Sequence, residues 1–106
     1  MRLVVLESPY AGDIETNVAY ARACVRDCLL MGEAPIASHL LYTQPGILRD
    51  EVPDDRRLGI AAGFAWRRFA AATVVYGDLG ITPGMWEGIN HSRALGVPVE
   101  FRRLAQ

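Results

Sequence analysis

Short apolar segments rich in β-branched residues alternate with amphipathic segments of helical period along this chain. They predict strands at residues 2–6, 35–37, 72–76 and 97–104, and helices at 13–31, 53–69 and 83–95. The order β-α-β-α-β-α-β predicts an α/β fold, a three-layer sandwich in which a short, mostly parallel four-stranded sheet lies between helices. A chain of 106 residues, 51% of them hydrophobic, is expected to form a single domain over residues 1–106.

Capping residues support these helix boundaries. Asp13 is placed to cap the first helix and Gly32 to end it, while Thr82 and Pro83 suit the N-cap and the first position of the last helix. For the second helix we predict a core-facing stripe of Leu58, Ala61, Ala62, Ala65 and Phe69. The segment after the second strand is predicted to be a long, proline-broken loop, and loops of this length are often functional.

Composition and motifs exclude several classes of protein. The formal charge of −1 lacks the positive footprint of a dedicated nucleic-acid binder. Neither G-x-G-x-x-G nor G-x-x-x-x-G-K occurs, which disfavours a dinucleotide dehydrogenase and an NTPase. No segment has the pattern of a signal peptide or a membrane span, so a cytoplasmic protein is expected. Cys24 and Cys28 share an apolar helical stripe, so we expect buried thiols and neither a metal site nor a cofactor.

Three polar segments follow the first three predicted strands. Right-handed crossovers place such segments at the carboxyl edge of a parallel sheet, where α/β proteins bind their ligands. We therefore expect SPYAGD, SHLLYTQ and GDLGITPGMWEG to converge there.

The third of these segments contains the start of the last helix. Amides around Gly84 and Met85 could bind an anion or a hydroxyl, or the segment could simply begin a helix. Asp78 could bind a sugar hydroxyl or a base amine from the end of its strand, or close an Asx-turn. Glu87 could act as a nucleophile or base, or could only complement the helix dipole.

The other two segments supply polar and aromatic candidates. His39 could donate to a ligand or act as an acid, or could fix its loop by a hydrogen bond. Tyr10 and Tyr42 could stack on a base. Ser8 completes the set of predicted ligand-binding residues: Ser8, Tyr10, His39, Tyr42, Asp78, Gly84 and Met85.

Several motifs together resemble the nucleoside 2-deoxyribosyltransferase-like superfamily, especially its small uncharacterised bacterial and phage branch. They are SPYAGD after the first strand, Asn17 in the first helix, GEAPIASHL, and VVYGDLGITPGMWEGINHSRALGVPVE. The resemblance covers nearly the whole chain. It implies a flavodoxin-like sheet of order 2-1-3-4, a nucleoside or nucleotide pocket at the carboxyl edge, and homo-oligomers whose subunits share pocket walls.

The superfamily's enzymes have a strand-end aspartate, followed by a helix that begins with a glycine. A glutamate four positions after that glycine attacks the anomeric carbon of the sugar. Asp78 matches the aspartate, and Tyr10 loosely matches an aromatic residue after the first strand. Four positions after Gly84 stands Gly88, while Glu87 lies one residue earlier, about 100° around the helix.

These observations favour a binder of a nucleotide-like or nucleoside-like molecule that sequesters or senses a nucleotide signal, in the host cytoplasm if the protein is phage-encoded. The alternative is an N-glycosidase or nucleoside deoxyribosyltransferase in which Glu87 is the nucleophile and Asp78 positions the sugar. A second alternative is a non-catalytic oligomerisation module that uses Gly59, Gly63 and Trp66 for close helix packing.

Overall fold

The computed structural model describes residues 1–104, which form a sheet of parallel strands with helices between them. The strands are β1 (Arg2–Glu7), β2 (Glu33–Ile36), β3 (Ala72–Tyr76) and β4 (Val99–Arg102). The helices are α1 (Ile14–Leu30), α2 (Ser38–Leu41), α3 (Pro53–Arg67) and α4 (Pro83–Ala94).

The sheet has the order β2-β1-β3-β4, and every described pairing is parallel. This confirms the predicted α/β, flavodoxin-like fold and its strand order. Strand β1 is an inner strand, paired with β2 on one side and with β3 on the other. Pro35 lies in β2, at the edge of the sheet, where a missing backbone N–H is tolerated.

Alternate residues of the inner strands pack against helices on opposite faces of the sheet. On one face, Val4, Leu6, Val74 and Tyr76 form a buried cluster with Cys24 and Cys28 of α1. On the other face, Val75 packs with Met85 and Ile89 of α4. Because side chains alternate along a strand, Glu7 shares a face with Val5, opposite to the face of Val4 and Leu6. Both cysteines are free and buried, as predicted.

The caps form as expected at three helix ends. The Asp13 side chain accepts from Thr16 N, the Thr82 side chain accepts from Met85 N, and Gly32 follows α1 with φ +79°. No helix within residues 1–104 has both the length and the hydropathy that crossing a membrane requires.

Two predictions for the region between β2 and β3 are wrong. The segment after β2 is not entirely loop, because Ser38–Leu41 forms the short helix α2. The predicted stripe of α3 is not its buried face: Leu58 and Phe69 are exposed, whereas Gly63 and Arg67 are buried. Helix α3 packs closely on α2 and therefore turns Gly63 inward.

Gly59 and Gly63 make these close contacts within the chain. A Cβ at Gly63 would lie 2.9 Å from Ser38 Cβ and closer still to its hydroxyl, and one at Gly59 would lie 3.3 Å from Leu48 Cδ1. The oligomerisation module that was the second alternative assigned these glycines to close helix packing; here they pack within the chain, and the oligomeric state stays a prediction. Trp66 is half-exposed and donates from Nε1 to the Tyr42 hydroxyl at 2.9 Å.

Candidate functional site

A cavity of about 550 Å³ opens at the carboxyl edge of the sheet. Its wall includes residues from the segment after β1, from α2 and the turn after it, from α3, and from the start of α4. The structure brings together seven of the eight predicted site residues around this cavity: Ser8, Tyr10, His39, Tyr42, Gly84, Met85 and Glu87.

Ser8 and His39 join two of these segments by a hydrogen bond. The distance from Ser8 Oγ to His39 Nε2 is 2.6 Å, and Ser8 is buried. Burial lowers the pKa of His39 to about 4, so the imidazole is neutral near pH 7. A neutral imidazole has one donor and one acceptor nitrogen, and the serine hydroxyl can complement either. The pair thus fixes α2 against the end of β1 and places polar groups in the cavity wall.

The segment after β1 is held in place by Asn17 of α1. Its Nδ2 donates to the carbonyl oxygens of Tyr10 at 2.9 Å and Ala11 at 3.1 Å. Tyr42 is held from the other side, because its hydroxyl accepts from Trp66. Two aromatic rings therefore border the cavity on backbone that is tied to helices.

The start of α4 offers fewer free amides than the sequence suggested. Met85 N already donates to Thr82 Oγ1 at 3.2 Å, and the Met85 side chain is buried in the core. Pro83 has no N–H. Gly84 N makes no hydrogen bond within residues 1–104, so it is the amide available at this end of the cavity.

Glu87 lies one turn into α4 and lines the cavity. The part of the chain that the structure describes provides it with neither an ion pair nor a hydrogen-bond donor. Its carboxylate is free to meet a ligand. Residues 1–104 contain no cluster of three or more His, Cys, Asp or Glu side chains that could hold a metal ion.

Comparison with known proteins identifies the family. A family model described as a domain of unknown function, DUF7768, matches residues 2–102. The chain belongs to the DUF7768 family. A comparison with curated proteins gives no match.

The DUF7768 chain is also similar in structure to a 2-deoxyribosyltransferase from the psychrotolerant bacterium Bacillus psychrosaccharolyticus. The TM-score is 0.62 at 22% sequence identity, over 93% of this chain and 70% of that one. At this identity the similarity shows a shared fold. The deoxyribosyltransferase-like fold that the sequence motifs predicted is thereby confirmed.

Asp78 is the predicted site residue of the DUF7768 chain that does not line the cavity. Its carboxylate accepts from the Tyr20 hydroxyl at 2.5 Å and from Leu104 N at 3.0 Å. The Tyr20 hydroxyl, by donating to this carboxylate, lowers the pKa of Asp78. The turn after β3, closed by a hydrogen bond from Gly80 N to Gly77 O, carries Asp78 toward α1. Asp78 therefore ties α1 to the segment after β4.

Sequence reasoning missed the ion pair between Glu7 and Arg67, which also lines the cavity. Arg67 Nη2 donates to Glu7 Oε2 at 2.6 Å, and the two side chains are 2% and 13% exposed respectively. Burial raises the pKa of the Glu7 carboxyl, and Arg67 opposes that rise. Two signals were present in the sequence: a carboxylate that ends an apolar strand, and an arginine four residues after Gly63 on the same helix face.

Proposed function

We propose that the DUF7768 chain binds a nucleoside-like or nucleotide-like small molecule in the cavity at the carboxyl edge of its sheet. The observation that carries this proposal is the convergence of three connecting segments on one cavity, in a fold shared with a 2-deoxyribosyltransferase. A volume of about 550 Å³ lies within the range typical of small-molecule sites.

The wall of the cavity has the mixture of groups that such a ligand requires. Tyr10 and Tyr42 provide aromatic surface for a base, while Ser8 and the neutral His39 provide hydrogen-bonding groups. A protein of this kind would sequester or sense a nucleotide signal. A homo-oligomer and a cytoplasmic location remain predictions from the sequence.

Binding is tested by titration calorimetry and thermal shift with a panel of ribonucleosides, deoxyribonucleosides and their phosphates. A ligand that binds the native state raises Tm in a concentration-dependent way. We expect at least one nucleoside or nucleotide to do so, and Tyr42→Ala to weaken its binding. A panel without any binding or Tm shift would contradict the proposal.

A second candidate function is N-glycoside cleavage or deoxyribosyl transfer with Glu87 as the nucleophile. The observation that favours it is the position of Glu87 on the cavity wall, where residues 1–104 provide it with no ion pair, because an unpaired carboxylate can attack an anomeric carbon. Chromatography of nucleosides incubated with the protein should then show release of the free base. Glu87→Gln should abolish the release, while Glu15→Gln, at an exposed carboxylate in the first turn of α1, should preserve it. Binding without base release would favour the first function.

A further inference from the structure

The carboxylate of Glu7 occupies the space that a side chain at position 88 would fill. A Cβ built on Gly88 of α4 would lie 2.7 Å from Glu7 Cδ and closer still to Oε2. The same Cβ would lie 3.1 Å from Arg67 Nη2. Glycine in a helix interior is less favourable than alanine, and here it leaves room for an acid that another element supplies. Helix α4 thus presents a gap at Gly88, and β1 fills it with a carboxylate.

One oxygen of this carboxylate is fixed and the other is available. Oε2 accepts from Arg67, whose Nη1 in turn donates to Ser92 Oγ at 3.2 Å and Thr73 Oγ1 at 3.5 Å. Oε1 makes no hydrogen bond within residues 1–104, and it is not among the buried polar atoms left without a partner. Glu7 therefore presents a pre-oriented acceptor to the cavity that it lines.

The charges around the cavity indicate which ligands suit this acceptor. Among the described residues, four carboxylates and two guanidiniums line it, and His39 is neutral. Both arginines are already paired, Arg67 with Glu7 and Arg56 with Asp50 at 3.2 Å. A phosphate would meet excess negative charge and no unpaired cation, whereas a hydroxyl group is a suitable donor to a carboxylate.

We propose that Glu7 Oε1 accepts a hydrogen bond from a sugar hydroxyl of an unphosphorylated nucleoside in this cavity, an inference that rests on the function proposed above. The acid that contacts the ligand is the Glu7 carboxylate, which extends from β1 into the gap at Gly88. The class of ligand is a neutral nucleoside rather than its 5′-phosphate.

The test is titration calorimetry with adenosine, guanosine, cytidine, uridine and 5-methyluridine, with their 2′-deoxy, 3′-deoxy and 5′-deoxy analogues, and with each 5′-monophosphate. The wild type should bind a nucleoside more tightly than its monophosphate. Glu7→Gln should weaken that binding by about 10-fold to 100-fold, the worth of a hydrogen bond to a charged group. Glu15→Gln, which changes an exposed carboxylate on α1, should bind like the wild type.

A pairing test separates contact with the ligand from a structural role. The analogue that lacks the bonded hydroxyl should bind the wild type more weakly than the parent nucleoside does. Its affinity for Glu7→Gln should be little lower than its affinity for the wild type, because the two changes remove the same hydrogen bond. Glu7→Gln leaves Arg67 buried without its carboxylate, so Glu7→Gln/Arg67→Met provides a second variant in which neither charge remains. It should show the same loss of affinity and the same lack of additivity.

The outcomes are distinguishable. Nucleoside binding that the Glu7 variants leave unchanged, additive losses with every analogue, or tighter binding of the monophosphate would overturn this inference while leaving the proposed function standing. A wild type that binds none of these compounds would overturn both.

Discussion

Replacing Gly88 by alanine tests directly whether α4 is shaped around the Glu7 carboxylate. The added Cβ would lie 2.7 Å from Glu7 Cδ and 3.1 Å from Arg67 Nη2, so the carboxylate must move away from its guanidinium. Breaking a buried ion pair costs about 3–5 kcal/mol, while alanine gains about 1 kcal/mol over glycine in a helix interior. We therefore expect the free energy of unfolding to fall by about 2–4 kcal/mol.

The loss is measured by urea unfolding followed by tryptophan fluorescence, with thermal unfolding as a second readout. Tm should fall by about 8 °C or more, given about 4–8 °C for each kcal/mol in a domain near this size. Gly84→Ala is the matched control in the same helix, because its Cβ would meet nothing nearer than Thr82 Oγ1 at 4.0 Å. In a Glu7→Asp background, where the acid is one methylene shorter, Gly88→Ala should cost less. Stability of Gly88→Ala equal to that of Gly84→Ala would refute the reasoning.

Three further predictions concern pH, thiol reactivity and helix packing. Burial lowers the pKa of His39 to about 4 from 6.5 in the unfolded chain, so the free energy of unfolding should fall as pH drops from 6.5 toward 4. Urea titrations of His39→Gln should lack this part of the pH dependence. Burial raises the pKa of the Cys24 thiol to about 12 and also raises the pKa of Cys28. A thiol reagent should therefore label the native protein only as fast as the protein unfolds, and rapid labelling would contradict the burial of the two cysteines. Gly63→Ala should lower the unfolding free energy by about 1–3 kcal/mol through overpacking against Ser38, and an unchanged urea midpoint would show that α2 can move aside.

The fold was predictable from sequence because its signals are local. The β-branched residues of 72–76 and the caps at Asp13 and Thr82 act within a few residues, and the structure shows both caps and a strand with those bounds. The buried face of α3 was not predictable in this way. Its orientation depends on a close approach to Ser38, and a stripe of apolar side chains carries no information about where glycine is needed for contact.

The residues of the candidate site likewise divide into those that a sequence rule predicts and those that depend on tertiary contacts. Ser8, His39 and Gly84 follow from the rule that segments after parallel strands share one edge of the sheet. Asp78 obeys that rule in sequence position, but the turn from Gly77 to Gly80 carries its side chain to Tyr20 instead. Glu7 was missed because its partner stands 60 residues away on α3, and only the packed structure brings the two charges together.

The location of Glu7 on β1 has a consequence for motion. This strand is paired on both sides, and Glu7 itself lies within the ladder opposite Val75, whereas helix ends and connecting segments open first in native-state fluctuations. Fraying of the first turn of α4 would shift Gly84 but would leave the Glu7 carboxylate where it is. Amide hydrogen exchange should therefore be slow at the end of β1 and faster in the first turn of α4. A ligand that enters the cavity would then meet a rigid acidic wall at Glu7 and a more mobile wall at the start of α4.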